Sequence, residues 1–241
     1  MIDLHTRVAN TVLCLLIAWT MTAHSQEGVI LLHGLCRTTR SMEPMAIALR
    51  QAGFTVLNVG YPSRSASIES LSKSTLPRAL AHETLAKCSR IHFVTHSMGG
   101  LLVRAYYSGQ RDPRIGRAGM LGPPNQGSEV VDRLGHWRIY QWLNGPAGND
   151  MGTGQDALPH ALGTVTLELG VIAGDRSINW INSALIPGPD DGKVAVRATA
   201  IDGMSDHLTI HAAHPFLMRD RRAIEATIRF LETGSFASKT R

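Results

Sequence analysis

The chain has 241 residues, of which 44% are hydrophobic and 18% charged, an ordinary composition for a globular protein that suits one large α/β domain. Its formal net charge is +5, but the basic residues are scattered and only 5% of residues are aromatic, so no nucleic-acid-binding surface is indicated. The charge is interpreted as favouring solubility, with at most a transient attraction to anionic membrane surfaces or substrates.

Residues 1–25 are expected to be a signal peptide. Arg7 precedes an apolar run at 12–19, and Ala23 and Ser25 place small residues before a cleavage site at Gln26. The run is short for a membrane span. Export to a periplasm or to the extracellular medium follows, with residues 26–241 as a single domain.

The first half of this domain alternates between strand and helix patterns. The expected elements are a strand at 28–32, an amphipathic helix at 41–53, a strand at 54–59, a helix at 68–87, a strand at 91–94 and a helix ending near 109. Pro77 is expected to kink or split the helix at 68–87. The strand at 28–32 is apolar on both faces, which is typical of a parallel sheet.

The second half continues the alternation. Expected here are a strand ending at 119–121, a loop at 122–128, a helix at 129–134, strands at 165–173 and 194–201, and a helix at 220–231. Residues 136–163 show no clean period, and a long irregular segment is usually either functional or a helix pair with a weak pattern. We expect this segment to be a pocket wall or partial lid.

Two cysteines remain after the expected signal peptide. Cys36 follows a strand and Cys88 precedes one, so they belong to opposite edges of a parallel sheet. A five-residue strand spans about 17 Å, whereas bridged Cα atoms lie within about 7 Å. Two free thiols are predicted.

Residues 91–105 have the pattern of a nucleophile elbow. A short apolar strand stops at Thr95-His96-Ser97-Met98-Gly99-Gly100, and a helix follows, which would present Ser97 at a tight turn. A serine after a strand is also a common helix N-cap, so that interpretation competes. Thr95 stands where the usual pattern has its first glycine.

Acyl transfer by a serine needs a base, an acid that orients it, and two N–H donors for the oxyanion. The candidate bases downstream of Ser97 are His136, His160, His207, His211 and His214. His214 is favoured because it directly precedes Pro215, at the start of a helix. His207 is the next candidate.

The favoured acid is Asp191, which lies in a Pro- and Gly-rich turn before the expected strand at 194–201. It comes after the serine and before the histidine, the order that such sheets require. Asp190 and Asp175 are the competitors, because an aspartate beside glycine is often only a turn former.

The oxyanion donors are expected to be the backbone N–H groups of Leu35 and Met98. His33 is expected to be a structural partner of the loop that carries Leu35. A metal site is the competing chemistry, since His207, His211 and His214 are spaced by four and three. Their β-forming neighbours and the absence of a glutamate from this run of sequence disfavour it, so neither a metal nor a cofactor is expected.

The motifs VILLHGL, FVTHSMGG, LGPPNQGS, DDGKVAV and HPFLM occur in this order over nearly the whole expected domain. As a set they resemble the bacterial lipase and esterase branch of the α/β-hydrolase superfamily. The resemblance implies a mostly parallel sheet with helices on both faces, a small or absent lid, and a triad of Ser97, Asp191 and His214.

The implied activity is hydrolysis of small-molecule or lipid carboxylic esters by a secreted enzyme. A thioesterase, an acyltransferase or a non-catalytic binding module on the same fold are the alternatives.

Overall fold

The computed structural model describes residues 26–108 and 112–237. The expected signal peptide lies outside the described residues. The strands are β1 (Glu27–Leu32), β2 (Thr55–Val59), β3 (Arg90–His96), β4 (Ile115–Leu121), β5 (Leu169–Gly174) and β6 (Asp206–Ile210). They form a six-stranded sheet in the order β2-β1-β3-β4-β5-β6, and every neighbouring pair is parallel. The predicted parallel sheet is confirmed.

The helices connect these strands and flank the sheet. They are α1 (Glu43–Gln51), α2 (Ile68–Leu80), α3 (Met98–Tyr107), α4 (Glu129–Leu134), α5 (Arg138–Asn149), α6 (Leu158–Ala161), α7 (Trp180–Ser183), α8 (Val196–Thr199) and α9 (Arg221–Thr233), with 3₁₀ helices at Thr39–Met42, Glu83–Leu85 and His214–Arg219. None of the described helices is long and apolar enough to cross a membrane.

The hydrophobic core lies in two layers, one on each face of the sheet. Alternating residues of β1 show this, because Ile30 packs with α2 and α3 whereas Leu31 packs with α1 and α9. Period-two alternation in a strand that is buried on both sides requires apolar residues at every position. Helices therefore cover both faces of the sheet, as predicted.

The prediction of a strand at 194–201 is wrong. Only Ala195 forms an isolated bridge, to Asp190, and Val196–Thr199 is a short helix. Val194 and Ala198 instead pack in a small separate apolar cluster. The strand that pairs with β5 is β6. The apolar residues of 194–201 therefore do not form the predicted strand of the sheet.

Two helical predictions also need correction. Pro77 does not split α2, which continues to Leu80 before a separate 3₁₀ turn. Because Pro77 lies near the end of the helix, its missing N–H affects only the carbonyl of Lys73, which is an exposed residue. The 136–163 segment contains α5 and α6, and the interruption of its period is explained by Gly145, which has a φ of 66° inside α5.

The strand expected at 165–173 is shorter and begins only at Leu169. Cys36 and Cys88 are both free, as predicted.

Candidate active site

Ser97 lies at the turn between the central strand β3 and helix α3. Its φ of 53° and ψ of −124° are rare for a residue with a side chain, and such conformations cost about 1–3 kcal/mol. The turn is fixed by the Ser97 N–H, which donates to the Leu121 carbonyl at 2.8 Å. The Ser97 carbonyl accepts from the Gly100 N–H at 3.0 Å, but the Ser97 side chain makes no capping hydrogen bond to the described residues of α3, so the interpretation of its hydroxyl as a helix cap is wrong.

Glycines let α3 pack closely against the sheet. A Cβ atom at Gly99 would lie 2.8 Å from the Leu32 carbonyl oxygen, and one at Gly100 would lie 2.9 Å from the Met120 Sδ. Thr95 is completely buried, and its Oγ1 would lie 3.4 Å from a Cβ at Gly100. The bulk of Thr95 is therefore accommodated in the core beside Gly100.

His214 and Asp191 form a buried pair. The His214 Nδ1 lies 2.7 Å from the Asp191 Oδ2, and the His214 N–H donates to the Asp191 carbonyl at 2.9 Å. The other carboxylate oxygen, Oδ1, accepts from the N–H groups of Lys193 and Val194 at 3.0 and 2.9 Å. Because an ionised Asp191 only accepts, the imidazole proton resides on Nδ1 and Nε2 is left with a free lone pair.

The competing acids have other partners. The Asp190 Oδ1 accepts from the Gly192 N–H at 2.7 Å and from the Ser183 hydroxyl at 2.8 Å, which is the arrangement of a turn former. The Asp175 Oδ1 lies 2.9 Å from the Nδ1 of His211, in an exposed pair. Asp191 is thus the aspartate that the structure places against His214.

The competing histidines contact other residues or lie outside the cavity. The His207 Nε2 lies 2.9 Å from the Thr199 hydroxyl, and neither His136 nor His160 lines the cavity that contains Ser97. Among the described residues, no group of three His, Cys, Asp or Glu side chains could hold a metal ion. The alternative with three histidine ligands therefore has no geometric basis in this part of the chain.

A cavity of about 350 Å³ opens at the carboxyl edge of the sheet. Ser97, His214 and Leu35 line it together, and so do Tyr140 and Asn144 of helix α5. Its size matches the lower end of small-ligand pockets. The sequence-predicted serine, histidine and donor loop thus meet at one opening.

The loop after β1 approaches the elbow closely. A Cβ atom at Gly34 would lie 3.1 Å from the Ser97 Cβ, which is too close for an ordinary contact, so glycine is favoured at this position of the loop. The N–H groups of Leu35 and Met98 donate to no acceptor among the described residues. They are available as a pair of donors beside Ser97. His33, which stacks on the Tyr61 ring with centroids 4.2 Å apart, has the expected structural role in this loop.

His96 is the residue that the sequence analysis missed. Its Nε2 lies 3.0 Å from the His214 carbonyl oxygen, and the two imidazole rings are 4.7 Å apart. Burial is the main cause that holds the pKa of His96 well below its ordinary value, so this ring is neutral. A histidine directly before the nucleophile, at the end of a buried strand, was the available signal.

The fold and the residues at the cavity are similar to those of a known class of proteins. A parallel sheet whose central strand ends in a strained serine turn, with an Asp–His pair on the loops that follow later strands, is the arrangement of the α/β-hydrolases. The chain has the fold of the α/β-hydrolase superfamily.

Solved structures with this fold include lipases and esterases. The mature lipase BlEst2 from Bacillus licheniformis is 15% identical, with 90% of this chain and 95% of that chain covered at a TM-score of 0.67. The phospholipase PlaB from Legionella pneumophila is 18% identical at a TM-score of 0.69, with 87% of this chain covered and 60% of that chain.

A thermophilic esterase from Thermogutta terrifontis is 16% identical at a TM-score of 0.55, with 87% of this chain and 90% of that chain covered. No protein-family model and no curated protein sequence matches this chain. At these identities the comparisons show the fold that the chain shares with ester hydrolases.

Proposed function

We propose that this protein is an exported serine hydrolase that cleaves carboxylic esters through an acyl-enzyme on Ser97. The observation that carries the proposal is the 2.7 Å contact between His214 and the buried Asp191, at a cavity that Ser97 also lines. The lipase and esterase neighbours support the choice of ester substrates. Small-molecule or lipid esters suit a cavity of this size.

In the proposed reaction, the Ser97 Oγ attacks the ester carbonyl carbon while the His214 Nε2 takes the hydroxyl proton. The carbonyl oxygen becomes an oxyanion that accepts from the N–H groups of Leu35 and Met98. His214 then donates its proton to the leaving alcohol oxygen as the C–O bond breaks. Asp191 stays ionised throughout and stabilises the imidazolium.

Water completes the turnover. His214 removes a proton from the water as its oxygen attacks the acyl carbon, and the second tetrahedral species collapses to release the acid and restore the Ser97 hydroxyl. A thioester substrate or an alcohol acceptor would use the same groups. Rates with oxygen esters, thioesters and added alcohols would therefore separate an esterase from a thioesterase or an acyltransferase.

Labelling with a fluorophosphonate probe tests the nucleophile. We expect the wild-type protein to be labelled and Ser97→Ala to be unlabelled and inactive on p-nitrophenyl esters. Ser128→Ala is the matched control, because Ser128 lines the same cavity but donates its hydroxyl to the Lys193 carbonyl. Failure of the wild type to label would favour a non-catalytic binding module instead.

Export is the second part of the proposal. It is supported by the charged, apolar and small-residue order of residues 1–25. The amino-terminal sequence of protein recovered from the periplasm or medium of an expressing bacterium is expected to begin at Gln26. Recovery of the intact chain from the cytoplasm alone would contradict it.

A further inference from the structure

The tryptophans among the described residues are unusually exposed. Every tryptophan within residues 26–108 and 112–237 is on the surface, with Trp137 53%, Trp142 73% and Trp180 78% exposed. Four large aliphatic side chains beside them are between 48% and 64% exposed. We refer to the seven residues as the apolar rim: Trp137, Ile139, Trp142, Leu143, Ile178, Trp180 and Ile181.

The two halves of the apolar rim are each connected to residues that line the cavity that contains Ser97. Helix α5 carries the first half and lines the cavity through Tyr140 and Asn144, and the Leu143 carbonyl lies 3.5 Å from the Sγ of Cys36, which also lines it. The second half, at 178–181, is anchored through Asn182, whose amide donates to the Gly192 carbonyl at 2.9 Å. Gly192 adjoins a further cavity-lining residue, Lys193. Exposed apolar side chains therefore belong to two segments that are each attached to the cavity wall.

Basic side chains accompany the apolar rim. Residues 136–145 and 176–185 contain Arg138 and Arg176 but no aspartate or glutamate. Arg37 and Lys193 line the cavity, the Arg64 guanidinium donates to the Trp142 carbonyl at 2.8 Å, and Arg138 and Arg176 lie within two residues of rim residues in the sequence; all five are exposed. None of them forms an ion pair with another described residue. The segments that adjoin the cavity thus carry both exposed apolar side chains and cations without an ion-pair partner among the described residues.

We propose that the apolar rim docks on an anionic lipid surface, with the mouth of the cavity turned toward the lipid. Tryptophan prefers the boundary between headgroups and acyl chains, and unpaired arginines and lysines are attracted to anionic headgroups. A second copy of this chain fits less well, because a two-fold contact through this surface would bring the same cations together. The inference concerns binding and does not depend on hydrolysis.

Cosedimentation of the Ser97→Ala protein with vesicles tests this proposal without any turnover. We expect binding to phosphatidylcholine vesicles containing phosphatidylglycerol, weaker binding to pure phosphatidylcholine, and a blue shift of tryptophan fluorescence on binding. The failure of the proposed ester hydrolysis would leave this measurement unaffected. Absence of binding to both kinds of vesicle would overturn the proposal.

Matched variants locate the binding surface. Ile139→Ser, in the apolar rim, is expected to weaken binding roughly tenfold, whereas Ile47→Ser, on the exposed face of α1, leaves it unchanged. Arg138→Gln should weaken binding to the anionic vesicles about fivefold, and Arg78→Gln should not. Equal effects of the two members of either pair, or a concentration-dependent dimer that Ile139→Ser dissociates, would contradict lipid docking through this surface.

Discussion

At Gly122, the lack of a side chain permits the pairing of Asp191 with His214. A Cβ atom there would lie 3.0 Å from the Asp191 Oδ2, 3.1 Å from the His214 Nδ1 and 2.9 Å from a methyl group of Leu217. The residue also has a φ of 55°, which side-chain-bearing residues rarely adopt. Both the backbone conformation and the space therefore require glycine at the end of β4.

Gly122→Ala is accordingly expected to destabilise the protein by about 1–3 kcal/mol and to lower kcat at least about tenfold. The extra carbon would push the imidazole away from the carboxylate. Thermal unfolding and ester-hydrolysis kinetics would measure the two effects. Gly154→Ala is the control, because a Cβ at Gly154 meets nothing within 4 Å among the described residues. Equal stability and equal kcat of the two variants would show that the Asp191–His214 contact tolerates a side chain at Gly122.

Asp191→Asn should leave the protein folded and reduce kcat by about 10³- to 10⁴-fold. The amide oxygen can still accept from Lys193 and Val194, whereas the new N–H₂ donor faces the His214 Nδ1. The imidazole proton is then displaced to Nε2, so the ring can no longer accept the Ser97 proton.

Asp190→Asn is the matched neighbour for that experiment, and its kcat should change little. Near-normal turnover of Asp191→Asn would instead transfer the acid role to Asp190 or Asp175. Circular dichroism of each variant would show whether a loss of activity occurs in a folded protein or results from unfolding.

At the level of elements, Arg104 joins helix α3 to the loop at 122–128 and to helix α6 with the turn that follows it. Its guanidinium donates to the Asn125 carbonyl at 2.9 Å, the Pro159 carbonyl at 2.7 Å and the Gly163 carbonyl at 3.0 Å. The side chain is buried, and this burial lowers the pKa of Arg104 to about 10, so it remains a cation at neutral pH. The elbow helix and the 136–163 segment are thereby held together.

Arg104→Met should lower the free energy of unfolding by about 3 kcal/mol or more, because three carbonyl groups lose their donor. Arg104→Lys should recover little, since an ammonium group cannot reproduce the planar fork. Urea denaturation provides the measurement. Arg78→Met, on the exposed side of α2, is expected to change stability by less than about 0.5 kcal/mol. A small effect of Arg104→Met would mean that the loops are held by other contacts.

The sequence predicts elements best where one pattern dominates. The apolar run at 28–32 has one outcome, a strand buried on both faces, and the structure has β1 there. Residues 194–201 are largely apolar as well, but they form no strand: Val194, Ala195 and Ala198 pack with Val130 and Ile186, and Val196–Thr199 is a short helix. Only the tertiary contacts distinguish these two outcomes, so short apolar segments at the sheet edge could not be assigned from the sequence.

In the candidate site, too, some features could be predicted from the sequence and others depend on tertiary contacts. Chain order, together with Pro215 after His214 and the turn around Asp191, led to the prediction of Ser97, Asp191 and His214, and the structure places the last two in contact. The hydrogen bond from His96 to the His214 carbonyl joins residues 118 positions apart, and no local pattern encodes it.

For the whole molecule, histidine burial makes stability dependent on pH. Burial is the main cause that lowers the pKa of His33, His92, His96 and His207. Each ring therefore binds a proton less readily in the folded chain than in the unfolded chain, where the pKa is about 6.5. The corresponding stability is present above pH 6.5 and is lost as the pH falls through and below that value.

Thermal unfolding measured between pH 7.5 and pH 5 is expected to show a Tm that falls with pH. His207→Gln should make the fall shallower, because one of the four rings no longer takes up a proton on unfolding. His136→Gln, an exposed residue, should leave the slope unchanged. A Tm that stays constant or rises toward pH 5 would contradict the effect of burial.

The contact between His96 and His214 also has a consequence for the order in which the site is assembled during synthesis and folding of the chain. A growing chain that has passed Ser97 already contains every residue of the elbow, but His214, which contacts His96 and is the proposed base for Ser97, is encoded more than one hundred residues later. The chain therefore holds a serine without a base until β6 and the 3₁₀ helix at His214 have joined the sheet. Recovery of activity in refolding should consequently trail the recovery of secondary structure, and fragments ending before His214 should be inert toward esters.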